Sequence, residues 1–404
     1  MTNRRFTRRT LLAGAASALV ATRLRGDDRT SDSSREALRA AVDWLWAQQA
    51  DDGGWHSPQY GVMRSGQSLT PFVLHALLQT IDEMSSDQYG RVQQAGRFLL
   101  SRLDDEGVLG RFDPEVMEYP VYSTAYAVRC FRRMFVYREM LAAEAGDAIR
   151  RMVRYLNEAQ FDEAAGFAPH DPAYGGWGFQ AALAPGRSGH TGRAPPGGAV
   201  GALALPFPWI PTAGPRMAKA QAYLRVLQKH PEATAPHALP EGAVADEPVP
   251  FDGGFYFSPV VLDANKGGVD PEPTPHWRSY ATATCDGVLA LVAAGLRYDD
   301  ERVTAAADWL ARHDDFDYPE GVPRDDPEPW GEAIRFYHYA VRGEAYRRLA
   351  FPAADRARLA AAVARRQQSD GRFVNNAAPL MKEDCPVLCT ALAVVALASV
   401  ALAS

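Results

Sequence analysis

The chain has 404 residues, 47% of them hydrophobic, and a formal net charge of −6, enough length and apolar content for a large buried core. Residues 1–26 contain six arginines and no acid, leaving 37 basic against 49 acidic residues, a net −12, in the remainder. An acidic body excludes nucleic acid as the expected partner, because the phosphate backbone demands a basic face. The four cysteines, Cys130, Cys285, Cys385 and Cys389, provide neither a disulfide framework nor zinc-knuckle spacing and read as buried free thiols.

The first element in the chain is an export signal. Thr7-Arg8-Arg9-Thr10-Leu11-Leu12 puts paired arginines ahead of a short apolar stretch, Leu11 to Ala21, too short to cross a bilayer as a mature helix. It resembles a twin-arginine signal over residues 1–26, which implies transient contact with export machinery and a periplasmic or secreted product.

A phrase then repeats through the rest of the chain: a helical segment rich in Ala, Leu and Gln, followed by an acidic turn that runs into an aromatic or apolar residue. Clear copies are WLWAQQADDGGW ending at Trp55, FDGGFYF from Phe251 and RRQQSDGRF ending at Phe373; weaker ones lie around Asp105, Gln160 and Asp317. Six units this short cannot bury their own apolar faces and must pack on one another. The segments before the turns, Ala37–Ala50, Arg91–Arg102, Ala148–Ala159, Met217–Lys229, Arg302–Arg312 and Ala354–Gln368, carry apolar residues at helical spacing with charged residues between, as helices with one wet face do.

The segments after the turns are mostly apolar around the whole circumference and read as buried helices: Leu69–Gln79, Tyr122–Arg132, Tyr280–Leu296, Ile334–Ala350 and Pro386–Leu402. Alternating half-wet and fully buried helices predict an all-α fold, an (α/α)6 toroid over residues 27–404. The apolar run from Pro386 reads as the sixth inner helix and not as a membrane span, since Pro suits a first helical position. In the third repeat the Pro/Gly-rich segment 181–215 interrupts the pattern and cannot hold a long helix. A lid, disorder and a shifted reading frame all fit that composition.

The Q-x-x-D-G-G-W phrase at Gln49–Trp55, with relatives at Phe251–Phe255 and Gln368–Phe373, resembles the repeats of squalene-hopene and oxidosqualene cyclases and of protein prenyltransferase β subunits. The resemblance covers nearly all of the chain after the signal. It implies a single toroid that binds a hydrophobic, isoprenoid-like ligand, and it does not carry a complete catalytic set. The D-x-D-D cluster that supplies the starting proton in squalene-hopene cyclases is absent from the sequence. Of the prenyltransferase zinc ligands, only the histidine phrase Phe336-Tyr337-His338-Tyr339 matches; Arg278 and Tyr280 fall where Asp and Cys belong, so no metal and no other cofactor is expected.

If the inner helices start on one side, their amino ends form a mouth containing Tyr119, Tyr122, His276, Trp277, Tyr280, Tyr337, His338, Glu383 and Asp384. Asp384 and His338 are the candidates for proton transfer there, and Tyr122, Trp277, Tyr280 and Tyr337 for contact with a cationic or apolar substrate. His75 reads as a core histidine. The expected partner is a hydrophobic or isoprenoid-like small molecule, with a membrane surface as a further expected contact. Two other classes fit the fold: a non-catalytic periplasmic binding or scaffold protein, and a carbohydrate-active (α/α)6 enzyme with paired acids across the mouth.

Overall fold

In the computed structural model the described residues are 32–138, 140–178, 215–231, 249–259 and 264–401. The expected signal and nearly all of the Pro/Gly-rich segment 181–215 lie outside them. The protein is mostly helical. Two-residue strands, β1 (Val269–Asp270) and β2 (His276–Trp277), pair antiparallel, with Val269 opposite Trp277.

One set of helices carries the half-wet pattern: α1 (residues 32–47), α3 (Ser86–Ser101), α5 (Ala142–Glu158), α6 (Pro215–Leu227), α8 (Glu301–Arg312) and α11 (Ala353–Ala364). They begin where local chemistry favours it. Ser85 and Gln88 form a reciprocal capping box on α3, and the Asp300 carboxylate accepts the backbone N–H of Arg302 at the head of α8.

Each turn is bonded to the outer helix that follows it. Gln49, after α1, donates from Nε2 to Gly53 O at 2.8 Å and to Arg91 O on α3 at 3.1 Å. Gln160, after α5, reaches Arg216 O on α6, and Gln228, after α6, reaches Arg302 O on α8. Arg151 of α5 donates to Asp104 O in the turn after α3, and Arg358 of α11 pairs with Asp314 after α8. Gln367, after α11, donates to Ala37 O on α1 at 2.8 Å, so the last repeat is bonded to the first. The operative glutamine in this copy is Gln367, one residue before the position aligned from the sequence.

The other set is buried: α2 (Leu69–Leu77), α4 (Pro120–Arg138), α7 (Ala281–Ala293), α10 (Arg335–Arg348) and α12 (Pro386–Ala401), with a four-residue α9 (Trp330–Ala333) ahead of α10. They are packed in the order α7, α10, α12, α2, α4. A threonine near the start of four of them accepts the backbone N–H at the end of its own repeat's turn: Thr70 from Trp55, Thr124 from Leu109, Thr284 from Phe255 and Thr390 from Phe373, at 2.9–3.1 Å. That hydroxyl removes an unsatisfied N–H from the junction of the two layers. The core aromatics of the turns, Trp55, Trp177, Phe255 and Phe373, are all 0 or 1% exposed. All four cysteines are buried and free, and among the described residues no helix is long and apolar enough to cross a membrane.

Candidate functional site

The buried helices surround a cavity of about 420 Å³, within the range of small-molecule pockets. Leu69 and Phe72 of α2, Tyr122 and Tyr126 of α4, Tyr280 and Asp286 at and within α7, Tyr337 of α10, and Leu388 and Leu392 of α12 contribute to the wall. The rings are organised: Phe72 meets Tyr126 edge-on at 5.0 Å, and Tyr122 lies 6.4 Å from Tyr126. This lining follows from helices rich in apolar and aromatic residues, which direct such side chains inward as well as toward their neighbours.

Asp286 is one of two acids in this wall. Tyr337 donates its hydroxyl to Asp286 Oδ2 at 2.8 Å. Burial pushes the Asp286 carboxyl up to about 7, with the Tyr337 hydrogen bond pulling it back and the charge of Glu344 adding to the rise. At neutral pH burial therefore favours the protonated form of Asp286, which makes it a candidate proton donor in the cavity wall. Burial, reinforced by Asp286, keeps the Tyr337 phenol protonated and available as a donor.

Behind the wall lies an ion network. Glu344 Oε1 stands 3.1 Å from Arg129 Nη2 and 3.4 Å from His75 Nε2, joining α10, α4 and α2. Burial alone would raise Glu344, but Arg129 and His75 outweigh it and hold the carboxylate below its ordinary range. Burial, then Arg129, depress His75 to about 4. The core histidine expected from the sequence is thus one end of a three-helix contact.

Glu383 also lines the cavity, but both its oxygens are in use. They accept from Phe336 N at 3.0 Å, Tyr337 N at 2.7 Å and Asn375 Nδ2 at 2.7 Å, so the side chain fastens the start of α10 to the segment before α12. Burial raises Glu383 to about 7 against the pull of these bonds.

The expected mouth residues separate into two groups. Tyr119, Tyr122, Tyr280, Tyr337 and Glu383 line the one cavity. Asp384, His276, Trp277 and His338 are outside its lining. Asp384 accepts hydrogen bonds from Gln59 at 2.6 Å and from the Tyr60 hydroxyl, tying the α12 approach to the first repeat. Trp277 is 9% exposed on β2. His338 is fully buried one residue round α10 from Tyr337, where its Nε2 accepts from Arg342 Nε at 3.1 Å; burial and then the Arg342 charge push it well below the usual imidazole value. The helical turn of 100° per residue is the physical reason: a residue adjacent to a cavity-facing tyrosine on α10 points into the helix packing. No group of three or more metal-ligating side chains exists among the described residues.

Asp286 is the residue that sequence reasoning passed over. The usable signal was a single acid inside the long apolar run Ala281–Ala293, where an ionised carboxylate is costly.

No protein-family model matches the chain, and no curated protein matches it. Solved structures do. The type II terpene cyclase MstE from Scytonema, in its ligand-free form, aligns at 15% identity with a TM-score of 0.54, covering 92% of this chain and 100% of that one. An alanine variant of MstE in complex with the product merosterolic acid A aligns at 15% identity and TM-score 0.56, and another with the substrate geranylgeranyl dihydroxybenzoate at 14% and 0.52; each covers 93% of this chain and 99% of the other. At such identity the likeness speaks to architecture, and the chain has a terpene cyclase-like fold.

Proposed function

We propose that the protein is an exported terpene cyclase-like enzyme whose cavity folds an isoprenoid chain and whose Asp286 starts cyclisation by proton transfer. The observation that carries this reading is a carboxyl raised to about 7, fixed by one tyrosine hydroxyl, in an aromatic cavity within a terpene cyclase-like fold. In the proposed step the proton of Asp286 adds to one carbon of a terminal double bond. The π electrons form the new C–H bond, the neighbouring carbon becomes cationic, and the next double bond attacks it to close a ring. Tyr122, Tyr126, Tyr280 and Phe72 stabilise the cation through their ring faces, and Tyr337 stabilises the Asp286 carboxylate that remains. The final cation gives a proton to water, and water returns one to the Asp286 carboxylate, which restores neutrality and the acid. MstE, which shares the fold, takes a geranylgeranyl substrate, and this supports the ligand class.

In this reading the six outer helices and their turns form the outer ring of an (α/α)6 toroid. The inner series from α7 to α4 forms five of the six inner positions. The cyclic set of turn-to-helix bonds supports it.

The test is incubation of the purified protein with polyprenyl substrates of several lengths, with product analysis by mass spectrometry and NMR. Cyclised product from the native chain, lost at least a thousandfold in Asp286→Asn while the variant still binds substrate, is the expected result. Equal turnover by Asp286→Asn would remove Asp286 from the mechanism. Binding without turnover by the native chain would favour the non-catalytic binding protein, for which the absent D-x-D-D cluster is the supporting observation.

A further inference from the structure

The chain writes almost every cation as arginine: of 43 basic residues only four are lysines, Lys219, Lys229, Lys266 and Lys382. Two of these neutralise turn carboxylates. Lys219 pairs with Asp162 and Glu163, and Lys229 with Asp252 at 3.1 Å. The other two line the cavity.

Neither cavity lysine forms an ion pair among the described residues. Lys266 Nζ lies over the Trp330 ring, 3.7 Å from its centroid, and Asp326 acts on it only through space. Lys382 Nζ lies 5.8 Å from the centroid of Tyr60. The two acids that follow Lys382 in sequence are committed elsewhere, Glu383 to Phe336, Tyr337 and Asn375, and Asp384 to Gln59 and Tyr60. Ring faces hold an ammonium in position without cancelling its charge. Two half-buried ammonium groups on a wall that is mostly aromatic and aliphatic, with Asp286 bonded to Tyr337 and Glu383 committed as above, leave positive charge that forms no ion pair among the described residues. A compact, rotatable ammonium also suits an oxyanion whose approach angle is not fixed in advance, where the planar fork of arginine would impose one.

We propose that the cavity takes an isoprenoid carrying an oxyanion head group, a carboxylate or a phosphate ester, with Lys266 and Lys382 holding the head and the hydrocarbon tail lying among the tyrosines toward Asp286. This rests on the isoprenoid reading of the cavity and adds to it a polarity: head at the lysines, reacting double bond at the acid. A neutral hydrocarbon would leave both charges partly desolvated and unpaired. The charge pair therefore selects for the ligand's end as well as its class.

The experiment is equilibrium binding of geranylgeranyl diphosphate, geranylgeranoic acid and geranylgeraniol to the full-length mature protein and to the double variant Lys266→Gln with Lys382→Gln. The native protein is expected to bind at least one of the two anions about tenfold or more above the alcohol. That preference should shrink as ionic strength rises, and which anion is preferred identifies the head group. In the double variant the preference should fall to near unity, with alcohol binding unchanged. Equal binding of alcohol and both anions by the native protein, or an anion preference that survives in the double variant, overturns the head-group proposal and leaves the isoprenoid reading standing. Binding of none of the three ligands overturns both.

Discussion

At the scale of single residues, Asp286 sets activity against stability. Its carboxyl is raised in the folded protein above the ordinary value of 3.8, so the folded state holds this proton more tightly than the unfolded chain does. Stability from this group is complete below pH 4, declines as pH rises from about 4 to 7, and is flat above, where the loss amounts to a few kcal/mol. Asp286→Asn removes that loss. Thermal melts should give nearly equal Tm values for variant and native protein at pH 4 and a higher Tm for the variant at pH 8.5. A lower Tm for the variant at pH 8.5 would mean that the carboxylate, not the acid, is the form the fold accommodates.

His338 belongs to the same scale with the opposite sign. Its Nε2 accepts from the fully buried Arg342, which also bonds to Leu310 O and the Tyr346 hydroxyl and pairs with no carboxylate among the described residues. Protonating His338 would set two cations side by side, so its stabilisation is present above the ordinary imidazole range and is lost as pH falls below it. His338→Ala should destabilise by about 2–5 kcal/mol, because it opens a cavity and strips an acceptor from a buried guanidinium. Denaturant titration measures this, and an unchanged midpoint would contradict the packing role.

At the scale of elements, the turn is what converts twelve helical segments' worth of sequence into neighbours. Gly371 shows why its residue type is fixed: φ is +92°, and a Cβ there would stand 2.7 Å from Ala40 O on α1. Gly371→Ala meets both a left-handed backbone and a backbone clash at the contact that joins the last repeat to the first. It should cost about 2 kcal/mol or more, read as a lower urea midpoint. Gln367→Ala removes the bonds to Gly371 O and Ala37 O and should cost about 1–3 kcal/mol. Similar values for Gln368→Ala, one residue on, would contradict the register seen in the fold.

At the scale of the whole molecule, closure and export can be tested separately. A chain ending after residue 352 lacks α11 and α12, uncovers the apolar faces of α2 and α10 that pack on α12, and should accumulate as insoluble protein. Soluble, helical product from that truncation would mean that the repeats stand without closure. For export, the arginine pair is the feature the pathway reads, so Arg8→Lys with Arg9→Lys should remain unprocessed in the cytoplasm. Processing at the native rate would show that another route is used.

The alternation of half-wet and mostly apolar helical segments, and the glutamine, glycine and aromatic residues between them, were enough to define the described helices apart from the four-residue α9 and which of the two sets each belongs to. Observed bounds such as Ser86–Ser101 and Pro386–Ala401 fall within a few residues of the expected ones, or extend them outward. Periodicity determines this because burial of an apolar face is a property of one segment and its spacing. The site was legible only as a neighbourhood. Tyr122, Tyr280 and Tyr337 share a wall, while His338, Trp277 and Asp384 do not line it. Which side chain faces a central space depends on the rotation of each helix about its own axis, and a one-residue step turns a side chain by 100°. Helix rotation is decided by contacts with helices distant in sequence, such as α4 and α10 meeting through Arg129 and Glu344. Burial among these helices, with the charge of Glu344 adding to it, raises the Asp286 carboxyl. The sequence alone determined the layers, and the tertiary structure decided the acid.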